Sequence, residues 1–218
     1  MADGGIIAEP RPGGKGRLIL MTRYPVPGHS KTRLIPALGP EGAALLQRRM
    51  TEQAVRLVRT FEARFPVEAE VRYAGGGLAA MRAWLGNQPR LRAQGAGDLG
   101  TRLGRAFAEA FASGASAVVA VGADCPALAG EHLAEAFLAL RRHELVVGPA
   151  KDGGYYLLGL AKPAPALFRD IPWGGGEVLA VTLARAAALG LRWHGLEPLA
   201  DVDRPEDLPA AFSSQPGE

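Results

Sequence analysis

Cysteine is all but missing from this chain: Cys125 is the only one among 218 residues. No intrachain disulfide can form, which permits a reducing compartment. The four histidines, His29, His132, His143 and His194, lack metal-ligand spacing, so a His/Cys zinc centre is not expected. No apolar run reaches the roughly 20 residues that span a bilayer. The first sixteen residues hold no apolar core of signal-peptide length. These absences lead to the expectation of a cytoplasmic soluble protein with no membrane partner. There is no Gly-x-Ser-x-Gly elbow, which argues against an α/β-hydrolase, and no internal repeat. The net charge is only +3, from 25 basic and 22 acidic residues, too little to argue for a nucleic-acid partner.

The residues that are present are ordinary for a globular domain: 48% hydrophobic and 22% charged. Residues 1–16 are rich in Gly, Pro and charge and are expected to form a flexible N-terminal tail. Residues 17–212 are expected to form one domain, and 213–218 a C-terminal tail. Short apolar runs at Leu18–Met21, Ala117–Gly122 and Leu145–Gly148 have the composition of strands buried on both faces. Val67–Tyr73, Arg90–Gln94, Tyr155–Leu160 and Leu191–Leu196 complete the expected strands. Helical spacing follows Pro40 through Phe61 and recurs at Ala79–Leu85, from Asp98 to Ser113, at Glu131–Arg142 and at Glu177–Leu189. Strands alternating with helices predict a three-layer α/β/α domain with a mostly parallel sheet. Ligands then bind outside the carboxyl ends of the strands, so the segments just after each strand carry the functional information.

The first such segment, Thr22 to Leu34, places Arg23, Lys31 and Arg33 on a loop stiffened by Pro25 and Pro27. Such a loop suits an anion, although it can also be a solvated basic surface. Lys31-Thr32 mimics the end of a P-loop, but Ser30 and Pro25 stand where that motif needs glycine. The third strand is followed by Gly95-Ala96-Gly97-Asp98-Leu99-Gly100, formally a dinucleotide fingerprint. A glycine turn with Asp98 as helix cap explains it equally well, as does a turn whose backbone approaches a nucleotide base. Asp124, after the fourth strand, sits where a divalent cation and phosphates lie in such folds, or caps the next segment. Asp152-Gly153-Gly154 is either a ligand-facing turn carrying a proton acceptor or a plain hairpin turn. Asp201 and Asp203 point the same way if extended, a pairing that repels unless a cation lies between them. Cys125 reads as a small packing residue.

Taken together, Arg23-Tyr24-Pro25-Val26-Pro27-Gly28 with Lys31-Thr32-Arg33-Leu34, Gly97-Asp98-Leu99-Gly100 with Arg102, Gly122-x-Asp124-x-Pro126-x-Leu128, Gly148-Pro149-x-x-Asp152-Gly153-Gly154-Tyr155-Tyr156, and Asp201-Val202-Asp203 with Pro205-Glu206-Asp207-Leu208 form a pattern. In order and spacing it resembles the radical-SAM/selenodomain-associated transferase 1 family, from about residue 17 to 208. That family is also described, by inference, as arsenosugar-biosynthesis glycosyltransferases, within the nucleotide-diphospho-sugar transferase superfamily. The resemblance implies a GT-A fold and a metal-dependent transferase acting on a nucleotide or nucleotide-sugar. It implies Arg23, Lys31 and Arg33 at the nucleotide phosphates, with Gly97, Asp98 and Arg102 at the nucleotide. It also implies Mg²⁺ or Mn²⁺ on Asp124, approached by Asp203. Gly153, Gly154, Tyr155 and Trp173 would line the acceptor or sugar side. Asp152 is the candidate base, and Lys31 a candidate catalytic charge. The chain departs from the family in two places: Trp173-Gly174-Gly175 replaces a usual Trp-Ser-Thr, and Ala123 stands where Ser or Thr is usual. The rival expectations are a nucleotidyltransferase on the same fold, a nicotinamide-binding oxidoreductase and a non-catalytic nucleotide sensor.

Overall fold

The computed structural model describes residues 14–87 and 89–208. The expected C-terminal tail and most of the N-terminal one fall outside these residues. Among them the strands are β1 (Gly16–Arg23), β2 (Val67–Ala74), β3 (Arg90–Ala93), β4 (Val118–Gly122), β5 (Leu145–Pro149), β6 (Tyr155–Leu160) and β7 (Trp193–Gly195). The helices are α1 (Ile35–Arg64), α2 (Gly77–Leu85), α3 (Leu99–Ala112), α4 (Gly130–Ala139) and α5 (Val178–Ala188). The strands form one sheet in the order β3-β2-β1-β4-β6-β5-β7. β6 runs antiparallel to β4 and β5, and the other neighbours are parallel.

β1 has apolar side chains on both faces. Leu18 and Leu20 enter one core with Val58 and Phe61 of α1, Val119 and Val121 of β4, and Leu133 of α4. Ile19 enters the other, with Leu103 and Phe107 of α3 and Leu158 of β6. All three β1 residues are fully buried, and each such side chain contributes roughly 1.5–3 kcal/mol by leaving water. A third cluster, Leu34, Leu46, Met50 and Val202, pins the segment near the C-terminus against the start of α1.

The element order matches expectation, with physical reasons for the differences at the edges. β1 starts before the apolar run because Arg17 is buried and pairs with Glu68 at 3.0 Å. Gly16 therefore lies in a strand, not in a tail. The long helix begins at Ile35, but Gly39 is non-helical (φ 68°, ψ 168°), so the uninterrupted helical run does start at Pro40. β7 is shorter than expected: Arg192, ahead of it, is held from backbone and side chain by Glu144.

Two features place the site. The chain leaves β1 toward β2 on one side, whereas β4 flanks β1 on the other, so the loops after β1 and β4 diverge and open a crevice. Because β6 is reversed, its first residue, Tyr155, stands at the same sheet edge as the carboxyl ends of the parallel strands. The hairpin turn before it therefore joins that crevice.

Candidate active site

The crevice is a cleft of about 710 Å³, a size that admits a nucleotide-sized ligand. It brings together residues from every segment singled out in the sequence: Arg23, Lys31, Arg33, Asp98, Arg102, Asp124, Asp152, Gly154, Tyr155 and Trp173, with Asp201 and Asp203. Gly97 and Gly153 do not line it. The Gly97 carbonyl accepts a 2.8 Å bond from Arg102 Nε, which folds that arginine onto its own loop. Gly153 (φ +89°) lies against Gly176, and an added Cβ would sit 2.0 Å from the Gly176 carbonyl oxygen. Only glycine fits there, and the contact ties the hairpin to the loop after Trp173.

Lys31 occupies the centre of the site. It has left-handed backbone angles (φ 49°, ψ 47°), rare for a residue with a Cβ. Its ammonium donates to the Val202 carbonyl at 2.7 Å and lies 3.0 Å from Asp124 Oδ1 and 3.7 Å from Asp203 Oδ1. Arg33 donates to Asp203 Oδ2 at 2.6 Å. The segment carrying Asp201 and Asp203 is strapped across the mouth by further bonds. Val202 N–H donates to the Asp124 carbonyl at 2.9 Å, and the Cys125 thiol to the Ala200 carbonyl at 3.3 Å. Burial pushes that thiol up to about 11, so Cys125 is a packing and strapping group rather than a nucleophile.

Asp152 accepts from Gly154 N–H at 2.9 Å, so the hairpin turn and the site-facing carboxylate are one feature. Asp152 and Asp201 lie close enough to interact: burial first, then the Asp152 charge, raises the Asp201 carboxyl above its ordinary value, while Lys31 opposes this. The aromatic wall beside them is Trp173 and Tyr155, edge to face at 6.2 Å.

On the opposite side Asp98 caps α3, accepting from Thr101 N–H at 2.8 Å. Hydrogen bonding to Thr101 lowers its carboxyl. Gly100 abuts Phe168 and Trp173, where a Cβ would meet the Phe168 carbonyl oxygen at 2.3 Å. The strand ahead of this loop, β3, is a mostly exposed edge strand paired with β2. A dinucleotide fingerprint follows a leading strand inside the sheet, so the oxidoreductase expectation loses its support and the capped glycine turn stands. Gln94 escaped the sequence reading. It is buried and donates to the Thr22 and Arg72 carbonyls at 2.8 and 3.0 Å, binding the ends of β1, β2 and β3 together. Its one signal was a polar amide at the end of a strand.

Among the described residues no three His, Cys, Asp or Glu side chains form a ready-made metal cage. Asp124 and Asp203 supply one or two hard oxygen donors, which fits Mg²⁺ or Mn²⁺ completing its shell with phosphates and water. Among the described residues no helix is long and apolar enough to cross a membrane.

Residues 57–175 match the family described as "Uncharacterized protein conserved in bacteria (DUF2064)". The chain belongs to this family. No curated protein matches it in sequence. Among solved structures it is similar to an inferred nucleotide-diphospho-sugar transferase from Desulfovibrio desulfuricans G20, with 32% identity and a TM-score of 0.81, over 88% of this chain and 83% of that one. A glucosyl-3-phosphoglycerate synthase from Mycobacterium tuberculosis, in complex with Mn²⁺, UDP and glucosyl-3-phosphoglycerate, shares the fold at 15% identity and a TM-score of 0.57, over 93% and 77% of the two chains. So does 4-diphosphocytidyl-2C-methyl-D-erythritol synthase from Anaerococcus prevotii, at 12% identity and a TM-score of 0.58, over 89% and 93%. The fold is that of the nucleotide-diphospho-sugar transferases, GT-A-like.

Proposed function

We propose that this DUF2064 protein is a divalent-cation-dependent glycosyltransferase that uses a nucleotide-diphospho-sugar and a hydroxyl-bearing acceptor. The supporting observation is the polarity of the cleft. On the β1 and β3 side, among the described residues, Arg23 and Arg102 donate to backbone and amide oxygens at His29, Gly97 and Gln94, with the Asp98 carboxylate close enough to Arg102 to feel its charge. Both are free to meet the phosphates of a nucleotide. On the hairpin side, Asp152 and Asp201 make no ion pair among the described residues and repel one another. A phosphorylated acceptor, as nucleotidyl transfer needs, would bring its charge against this pair. A neutral hydroxyl acceptor instead finds two carboxylates to accept its O–H groups.

Asp152, exposed at the turn, holds the acceptor hydroxyl and takes its proton. Trp173 offers an aromatic face to a sugar ring. Asp124 and Asp203 would hold the cation, which when bound neutralises charge on the departing diphosphate. Lys31 and Arg33 fix those two carboxylates in place. The same loops support membership of the radical-SAM/selenodomain-associated transferase 1 group, with Gly174 and Gly175 altering the acceptor wall.

A thermal-shift screen of nucleotide-sugars, nucleoside diphosphates and triphosphates, each with and without Mn²⁺, tests this reading. Binding at 100 times Kd stabilises by about 2.7 kcal/mol. A Mn²⁺-dependent shift with one nucleotide-sugar is expected. The absence of a shift with every nucleotide contradicts the proposal.

A further inference from the structure

Of the carboxylates that line the cleft, Asp124 and Asp203 are already paired with cations of the protein. The Asp124 and Asp203 side chains are 49% and 33% exposed, whereas the Lys31 side chain beneath them is only 5% exposed. The ammonium has three N–H groups. Its nearest oxygens are the Val202 carbonyl, Asp124 Oδ1 and Asp203 Oδ1, all from the protein. In this arrangement Lys31 is not presented to a nucleotide as a free cation. Arg33 covers the other Asp203 oxygen. Two negative charges thus face two positive ones, and Lys31 itself holds a left-handed backbone.

We propose that Lys31 and Arg33 are built-in counter-ions that keep the free site's affinity for a divalent cation low, so that the cation binds together with a nucleotide. Within the Asp124–Asp203–Lys31–Arg33 group the formal charges cancel, so even with Asp201 beside Lys31 a bare ion gains less attraction than two unpaired carboxylates would give it. A nucleoside diphosphate restores the missing negative charge, and by linkage the ion and the nucleotide strengthen each other equally. The site thereby avoids holding an idle cation and selects the metal–nucleotide complex. This inference rests on the metal part of the reading above, not on which group is transferred.

The test is a titration of Mn²⁺ alone into nucleotide-free protein, followed by the electron paramagnetic resonance signal of the free ion. Lys31→Met is expected to bind Mn²⁺ at least about tenfold more tightly than the parent chain, equal to about 1.4 kcal/mol. Adding Asp124→Asn to that variant should cancel the gain. Arg33→Met, at a more exposed position, should move in the same direction and serves if Lys31→Met does not fold. Unchanged or weaker Mn²⁺ binding in the folded variants, with the parent binding the ion, overturns the proposal and leaves the transferase reading intact. Failure of every protein to bind Mn²⁺ at millimolar concentration overturns it as well, together with the metal part of that reading.

Discussion

Arg33 and Asp203 meet at 2.6 Å across 170 residues of chain, closing the loop after β1 onto the segment that crosses the mouth of the cleft. The pair is largely exposed, with side chains 57% and 33% accessible. Exposed pairs contribute little to stability, about 0–1 kcal/mol, so its effect should fall on the site. Arg33→Ala is expected to change the urea midpoint only slightly and to lower kcat/KM at least about tenfold, the equivalent of about 1.4 kcal/mol of transition-state stabilisation. A large loss of stability with unchanged kcat/KM would show the pair to be merely structural.

Asp124→Asn keeps the shape of the side chain and an oxygen for Lys31. Its melting temperature should stay within a few degrees of the parent, while Mn²⁺-dependent stabilisation by the donor nucleotide-sugar disappears. Isothermal titration with and without Mn²⁺ reads this directly, and an undiminished Mn²⁺ dependence removes Asp124 from the cation site.

Gly100→Ala separates packing from cofactor binding. The new methyl meets the Phe168 carbonyl oxygen at 2.3 Å and Trp173 Nε1 at 2.5 Å. Overpacking of this kind costs roughly 1–3 kcal/mol. The variant should melt earlier, and neither it nor the parent should alter NADH fluorescence. A specific NADH signal from the parent would revive the dinucleotide reading of the glycine loop.

Glu144 provides a pH test remote from the site. Hydrogen bonds from the side chain and backbone of Arg192 hold its carboxyl at about 2, well below its ordinary value of 4.5. The folded value is depressed, so the stabilisation is present above the unfolded value and is lost as pH falls from 4.5 toward 2. Glu144→Gln should lower the melting temperature at pH 7, and the gap should narrow across that acid window. A gap independent of pH would contradict the assignment.

The order of strands and helices was legible because each carries a plain signal. Leu18–Met21 and Ala117–Gly122 are short apolar runs of the length and composition that suit a doubly covered strand, and Asp98 caps its helix as its position implies. The loops after the strands also gathered as expected, since a mostly parallel sheet delivers its carboxyl ends to one edge. The reversal of β6 was not spelled out by composition: a Lys-Asp-Gly-Gly turn fits a hairpin, but burial on both faces looks the same in either direction. Lys31 shows the deeper limit. On the sequence it belongs with Arg23 and Arg33 as a phosphate contact, yet a lysine among distant carboxylates loses its exposure to them. Sequence carries charge and spacing along the chain, whereas the pairing of Lys31 with Asp124 and Val202 is set by how the last crossing segment packs through Val202 against Leu46 and Met50.

The central claim is tested most directly by incubating the protein with Mn²⁺ and a panel of nucleotide-sugars, and following phosphorus-containing products by ³¹P NMR. The account predicts Mn²⁺-dependent release of a nucleoside diphosphate from one donor, with water taking the sugar in place of the acceptor, abolished by Asp124→Asn. Release of pyrophosphate from a nucleoside triphosphate and a phosphorylated acceptor, with every nucleotide-sugar left intact, would contradict it.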